Sequence, residues 1–392
     1  MADALILIPA VALLLLTLPG TLELLLLTLM AVLAPKKPLA RIAIDPDKRP
    51  RLAIVMPAHN EASGIAACVA NLQASIAQTT GCTLVVIADN CHDDTAVLAA
   101  QAGARVLERF NDQQRGKGFA LDYAFRTLLA EDFDGFIVVD ADSRVDADMV
   151  LAFQQAFAQG IDAAQCRYRI ANPEASLRAR LNYIAWLAFN ELRLQGREQL
   201  KVSVGILGNG FALSRAVLTA VPYEAGSIAE DMEYHLRLVE AGFAMRFLDT
   251  VTVYSDAPNQ GDNAAVQRSR WEGGRFRLIR EHVPSLFKQV LQGNTRLLEP
   301  LAELLLLPLA FHVVLLVLSL VLPVAWLQAY ALAALALVVA HVLLAIYYGG
   351  GGRADVQALV SVPFYIFWKL TLMPKLWRNA RQDAHWQRTD RE

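Results

Sequence analysis

The sequence predicts an α/β domain built on a mostly parallel sheet and held between apolar segments that belong in a membrane. Three observations carry this. From Arg51 to Ala158, short apolar runs rich in Val and Ile alternate with helix-length stretches, as in a sheet covered on both faces. One run, Phe136-Ile-Val-Val-Asp-Ala-Asp-Ser143, reads as a buried strand ending on two carboxylates one residue apart. Both ends of the 392-residue chain are apolar, and they raise the hydrophobic content to 55% and the mean hydropathy to +0.35. That is too apolar for a purely soluble enzyme.

Taken in order, Ala4–Leu33 is apolar except for Glu23 and has no basic leader, so it reads as a membrane anchor, kinked or re-entrant at Pro19-Gly20. Glu23 in lipid is costly and should face a protein partner or the interface. Lys36, Lys37 and Arg41 place the following flank in the cytoplasm. Strands are then expected at Leu52–His59, Leu84–Asp89, Arg105–Glu108 and Phe136–Asp140. Helices are expected between and after them, at Glu61–Gln78, Asp93–Ala102, Gly118–Leu129 and Ala147–Ala158. Beyond a strand at Ala163–Ile170 come a long helix over Glu174–Leu194 and a glycine-rich strand over Gly205–Ser214. A helix at Ala229–Ala241, a strand at Met245–Tyr254 and a helix at Asn263–Ile279 follow.

Arg275–Arg296 mixes cations with large apolar residues, the composition of a helix lying on a membrane surface. Leu304–Gly352 lacks Asp, Glu, Lys and Arg, enough for two spans turning near Pro323. Val356–Met373 reads as interfacial or re-entrant, because a span there would carry the basic tail outside the cell. The expected layout is an anchor and basic flank (1–44), a cytoplasmic catalytic domain (45–274), interfacial helices (275–298), two spans (299–352), and an interfacial helix with a cytoplasmic tail (353–392). This places a multi-pass protein in the inner membrane, in contact with its lipids. A net charge of −2 gives no field for nucleic acid, so no such partner is expected. The four cysteines lack CxxC spacing and read as reduced structural thiols. Cys91-His92-Asp93-Asp94 reads as a turn after a strand rather than a metal cluster.

The chemistry is expected at the carboxyl ends of the strands, where ligands of open α/β sheets collect. Of the four Asp-x-Asp patterns, Asp45–Asp47, Asp132–Asp134 and Asp146–Asp148 read as turns or caps. Only Asp140–Asp142 follows an uninterrupted strand-like run. Two such carboxylates can hold a hard cation whose shell diphosphate oxygens complete. Met56-Pro-Ala-His-Asn-Glu61 and Ala88-Asp-Asn-Cys91 put polar groups on the same edge, where a nucleoside could lie. Glu230-Asp231 opens a helix, as either a functional acid pair or an ordinary N-terminal one. Gln267-Arg-Ser-Arg270-Trp271 offers a guanidinium for a diphosphate and an indole for a sugar face, or a plain core aromatic.

In this order and context, Asp140-Ala-Asp142, Glu230-Asp231 and Gln267-Arg-Ser-Arg270-Trp271 resemble the motifs of membrane-bound family 2 glycosyltransferases, the branch of cellulose, chitin and hyaluronan synthases. The likeness runs from about Arg51 to Arg280, and the tail Trp386-Gln-Arg-Thr389 resembles those of bacterial exopolysaccharide enzymes. It implies a GT-A fold, a UDP-sugar donor, Mg²⁺ or Mn²⁺, and inversion at the anomeric carbon. By the same likeness Ala58, Glu61 and Asp89 contact the uridine, and Lys117 and Arg270 the diphosphate. Asp140 sits near ribose and metal, Asp142 binds the metal, and Asp231 is the general base. Glu230, Gln267 and Trp271 face the acceptor, and Gly208 and Asn209 line its channel. Gly116-Lys-Gly118 is not a Walker A loop, because the upstream glycine and the following Ser/Thr are missing.

The expected acceptor is a glycan, in exopolysaccharide synthesis. The membrane part is short for a monomer that both makes and exports a polymer, so a homo-oligomer or an export partner is a further expectation. Single transfer to a membrane lipid, as in ceramide glucosyltransferases, is the second reading. A non-catalytic scaffold is the third, disfavoured because no motif carboxylate, nor Arg270, is lost.

Overall fold

A computed structural model of the protein describes residues 2–34, 42–45, 48–224, 229–257 and 261–371, and their side chains except those of 2–5, 261–273, 276 and 367–371. Strands β1 (Leu52–Ala58), β2 (Cys82–Asp89), β3 (Arg105–Arg109), β4 (Gly135–Val138), β5 (Ser143–Val145), β6 (Ala163–Ile170), β7 (Phe211–Ser214) and β8 (Arg246–Ser255) form one sheet in the order β3-β2-β1-β4-β7-β6-β8-β5. The first four pair in parallel. β7 is antiparallel to both β4 and β6, β8 runs parallel to β6, and β5 closes antiparallel on β8. The nucleotide-binding half expected from the alternating sequence is therefore parallel, and the half beyond it is mixed.

The helices are α1 (Ala2–Leu33), α2 (Ile65–Ile76), α3 (Thr95–Gln101), α4 (Lys117–Leu128), α5 (Met149–Ala158), α6 (Leu177–Trp186), α7 (Arg193–Leu200) and α8 (Arg215–Ala220). They continue with α9 (Glu230–Glu240), α10 (Gly261–Leu291), α11 (Leu298–Leu305), α12 (Leu309–Val321), α13 (Ala325–Tyr348), α14 (Arg353–Ala358) and α15 (Val362–Thr371). The unbroken apolar run of β1 follows from burial on both faces. Ala53 and Val55 join Val85, Ile87, Phe136 and Val138 under α4, while Leu52, Ile54 and Met56 join Val86 and Ile137 under α2 and α5.

Three elements depart from the sequence expectation. The strand expected to reach Asp140 stops at Val138, because the Asp140 amide donates to Asn209 Oδ1 at 3.1 Å instead of to a neighbouring strand. The helix expected over Glu174–Leu194 starts at Leu177, capped by Ser176 Oγ, and passes through a π-helical turn at Leu187–Leu192 before α7. α10 also runs on, without a break at Pro284, through the stretch expected to lie on the membrane surface. Leu278 and Leu286 bury one of its faces against Ala229, Leu236 and Val239.

α1 is a continuous helix through Pro19, and α1 and α13 are long and apolar enough to cross a membrane. At 24 residues, α13 measures about 36 Å against a hydrocarbon core of about 30 Å. The 13-residue α12 is too short alone, and it meets the Thr295–Leu305 segment at a 71° bend. α12 and α13 are separated by the three residues Leu322–Val324, which include Pro323. Hydrogen bonds tie these helices together. Thr21 Oγ1 meets His312 Nε2 at 3.2 Å and the Tyr330 hydroxyl at 2.9 Å, and Thr28 Oγ1 meets His341 Nδ1 at 2.7 Å.

α1 also docks on the globular part. Glu23 finds its partners within the chain, pairing with Arg193 at 2.5 Å and Arg197 at 3.7 Å. The helices cross so closely that a Cβ on Gly196 would lie 2.3 Å from the Leu27 carbonyl oxygen. Gly196→Ala should therefore push α1 off α7 and cost about 1–3 kcal/mol as overpacking. The measurement is the melting temperature of the detergent-solubilised protein. An unchanged value would show that α1 does not pack there.

Candidate active site

Because β1, β2 and β4 are parallel and in register, their carboxyl ends lie along one edge. Ala58 pairs with Ala88 at the ends of β1 and β2, and Asp89 is the last residue of β2. Both strands leave the sheet through asparagines with positive φ, Asn60 at 54° and Asn90 at 51°. Each side chain then fixes the next loop: Asn60 Oδ1 accepts from the His92 amide at 2.8 Å, and Asn90 Oδ1 accepts from the Asn111 amide at 2.7 Å. Glu61 starts the turn into α2, its amide donating to Thr95 Oγ1 at 2.8 Å. Asp89 is buried and paired with Arg109 at 2.6 Å, and His59 Nδ1 lies 2.7 Å from its carbonyl oxygen. Arg109 gave no sequence signal, since β3 read as an ordinary short strand.

The second group of residues collects around Lys117, the first residue of α4. Its ammonium donates to Asp140 Oδ1 and to the Gly208 carbonyl. Gly208 holds φ 79°, and a Cβ there would come within 3.1 Å of Asp231 Oδ2, so the loop lies against that carboxylate. Asp231 and Glu230 occupy the first turn of α9, where Asp231 Oδ1 accepts from the Met232 amide at 2.8 Å. Residues 117, 140, 208 and 230–231, far apart in sequence, thus meet at one point.

The meeting sets the charges. Burial works against the Lys117 ammonium, but the carboxylates of Asp140, Glu230 and Asp231 outweigh it and hold its pKa above the usual lysine value. Burial first, and then the charge of Asp231, pushes Glu230 up to about 7. Burial also raises Asp231, against the pull of the Met232 amide and Lys117.

Asn209 is 1% exposed and braces the carboxylate pair. Its Oδ1 receives the Asp140 amide, and its Nδ2 donates at 2.8 Å to Ser143 Oγ, which in turn donates to Asp142 Oδ1 at 3.3 Å. Buried Gln165 clamps the same loop, taking the Leu207 amide at 2.9 Å and donating to the Asn209 carbonyl at 2.8 Å. Neither Ser143 nor Gln165 stood out in the sequence. Their residue types are ordinary: the antiparallel pairing of β6 with β7 brings Gln165 here, and Ser143 sits on β5, paired with Ser255 of β8.

Asp132–Asp134 and Asp146 of two other Asp-x-Asp patterns hold neighbouring segments of the fold. Asp132 and Asp134 both hold Arg51, and Asp146 accepts from the Thr252 amide and the Tyr254 hydroxyl. Asp93 accepts the Ala62 and Thr95 amides in a turn. Asp47 and the side chains of Gln267, Arg270 and Trp271 lie outside the described residues.

No cluster of three or more His, Cys, Asp or Glu side chains suited to a metal occurs among the described residues. Asp140 and Asp142 supply two carboxyl groups on a braced loop. That fits Mg²⁺ or Mn²⁺, which bind readily through one or two carboxylates with substrate phosphates completing the shell.

Comparison with known proteins agrees with this geometry. Residues 135–348 match the model of glycosyl transferase family group 2. A probable glycosyltransferase of Bacillus subtilis, YdaM, is 22% identical over 248 residues, 61% of this chain and 58% of that protein. The low-salt glycan biosynthesis hexosyltransferase Agl6 of Haloferax volcanii is 35% identical over 105 residues, 27% of this chain and 24% of its own length. The chain thus spans 58% or less of these relatives. Among solved structures, the mannosyltransferase PcManGT of Pyrobaculum calidifontis, in complex with GDP-mannose and Mn²⁺, superposes with a TM-score of 0.55 at 19% identity. The match covers 95% of this chain and 96% of that one, and it supports a GT-A-like fold. With the family model matched over more than half of the chain, from the strand that leads to Asp140 through the helix that opens with Glu230-Asp231, the protein belongs to glycosyl transferase family group 2.

Proposed function

We propose that this protein is an inverting, membrane-seated glycosyltransferase that moves a sugar from a UDP-sugar to a glycan acceptor, in exopolysaccharide synthesis. One observation carries the reading: Asp140, Asp231 and the Gly208 loop gather around Lys117 at the carboxyl edge of a parallel sheet. The donor's base and ribose lie across Ala58, Glu61 and Asp89, and its diphosphate lies toward Lys117, with Arg270 arriving from α10. Asp140 and Asp142 would hold Mg²⁺ or Mn²⁺, which would supply positive charge beside the leaving diphosphate.

Asp231 takes the proton from the acceptor hydroxyl as its oxygen attacks the anomeric carbon. The bond to the nucleotide breaks on the opposite face, its electron pair leaves on the diphosphate, and configuration inverts. Such a base contributes about 10²–10⁴-fold. Glu230 and Asn209 support the carboxylates on either side, and Gln267 and Trp271 face the acceptor. The catalytic domain is on the cytoplasmic side of the inner membrane. Single transfer to a membrane lipid is the second reading, favoured by the docking of α1 directly on α7 of the globular part.

Asp142→Asn should abolish the metal dependence of nucleotide binding, followed by calorimetric titration of UDP and GDP with and without Mn²⁺. Equal metal dependence in wild type and variant would move the cation elsewhere, and a preference for GDP would reassign the donor. Asp231→Asn should keep donor affinity and lose at least roughly 10²-fold in turnover. Near-normal turnover would leave Glu230-Asp231 as a helix cap.

Glu230 gives a pH signature. Its folded pKa of about 7 lies above its ordinary 4.5, so the folded state holds the extra proton between those values and loses stability as pH rises through them. Glu230→Gln should therefore raise the melting temperature of the nucleotide-free protein at pH 8 and leave it nearly unchanged near pH 4. The same shift at both ends would mean that Glu230 titrates normally.

A further inference from the structure

The hydrogen bonds that brace Asp140 and Asp142 run on to a phenol, Tyr168 of β6. Their direction starts from a backbone N–H, which can only donate. The Asp140 amide takes Asn209 Oδ1, so the Asn209 side-chain nitrogen faces two serines. It donates to Ser143 Oγ at 2.8 Å and to Ser255 Oγ at 3.4 Å. Ser143 then donates to Asp142, and Ser255 donates to the Tyr168 hydroxyl at 3.1 Å. The Tyr168 oxygen is thus an acceptor at the end of the chain, with its own hydrogen still to give. Among the described residues nothing accepts that hydrogen.

Packing and charge fix where the phenol stands. Tyr168 pairs with Val253 of β8, and its ring lies 4.4 Å from that of Trp186, tilted by 58°. The residue is partly buried, not sealed. Burial first, and then the field of Asp140, pushes its pKa up to about 12, and Asp231 adds a smaller push. The phenol is therefore neutral and lies in the field of both acids, more strongly in that of Asp140.

An oxygen that receives this hydrogen also meets two carboxylates. A phosphate oxygen only accepts, and both acids repel it. A hydroxyl accepts from Tyr168 and donates its own proton to a carboxylate, so it satisfies both sides. In the displacement proposed above, Asp231 works at the anomeric carbon and Asp140 lies beside the diphosphate. The group between them is the sugar being transferred.

Resting on that transferase reading, we propose that Tyr168 selects the donor sugar: its O–H donates to one hydroxyl of the transferred ring. Ser255 and Asn209 aim the phenol, so sugar choice is wired to the same asparagine that holds the Asp140 amide. A site built around such a hydroxyl rejects a sugar that lacks it.

The test titrates the full detergent-solubilised chain by calorimetry, with Mn²⁺ present throughout. The ligands are UDP and GDP alone, then UDP-glucose, UDP-galactose, UDP-N-acetylglucosamine and GDP-mannose. Tyr168→Phe keeps the ring against Trp186 and removes only the O–H. It should weaken at least one nucleotide sugar by about two- to tenfold, the worth of one neutral hydrogen bond, and leave the bare nucleotide unchanged. Among monodeoxy analogues of that sugar, one should bind wild type and variant equally, because the bond is already gone. An equal loss for the bare nucleotide overturns the proposal. So does no loss for any nucleotide sugar, or a loss that persists with every monodeoxy analogue. If the variant does not fold, 3-fluorotyrosine in place of Tyr168 decides. Its ¹⁹F resonance should move with a nucleotide sugar and not with the bare nucleotide, and equal movement overturns the proposal. A wild type that binds neither UDP nor GDP overturns the transferase reading itself, and the role of Tyr168 falls with it.

Discussion

The site depends on one ammonium held among carboxylates. Lys117 touches Asp140 and lies in the field of Glu230 and Asp231, with Asp142 braced one residue beyond Asp140. Two unit charges 4 Å apart interact by about 4 kcal/mol at an effective dielectric of 20. Repulsion among such acids works against the folded state unless cations offset it. Lys117 offsets part and, through the Gly208 carbonyl, ties the loop before β7 to the carboxylates it neutralises. The remaining excess of negative charge repels a nucleotide diphosphate that arrives alone. A divalent cation held by Asp140 and Asp142 would offset that charge, and in the proposed reaction metal and donor binding would then be linked.

A second buried cation performs a parallel task beside the apolar helices. Arg197 gathers Glu23 of α1 with Glu299 and Glu303 of α11, so two apolar segments and α7 share one guanidinium. Removing one member of such a buried group costs about 3–5 kcal/mol, because the others are left uncompensated. Asp231 and Arg197 line the same chamber, so the position of the apolar helices and the surroundings of the proposed base are set together. A glycine at 196, which lets α1 approach to backbone contact, belongs to the same arrangement.

Much of this was legible in the sequence for physical reasons. The β1, β2 and β4 runs are buried on both faces, so their composition announces strands, and Asp140 and Asp142 follow the one uninterrupted run. Glu230-Asp231 stood at a helix start, where acids are common, and only the structure shows Lys117 and Gly208 beside it. Arg109, Gln165 and Ser143 were illegible because their roles come from pairing between distant strands. Asn209 was legible as a residue of interest, but its side chain points into the carboxylate loop, which no local pattern encodes. The π-helical turn was hidden for a similar reason: an extra residue in a helical turn leaves the apolar periodicity nearly intact.

The central claim is that one carboxylate, Asp231, drives a single displacement at the anomeric carbon. Proton NMR of the first-formed product, with UDP- or GDP-linked α-sugars as donors, tests this most directly. The account predicts a β-linked product from the first turnover onward. An α-linked first product would require two displacements or a front-face path, and would contradict it.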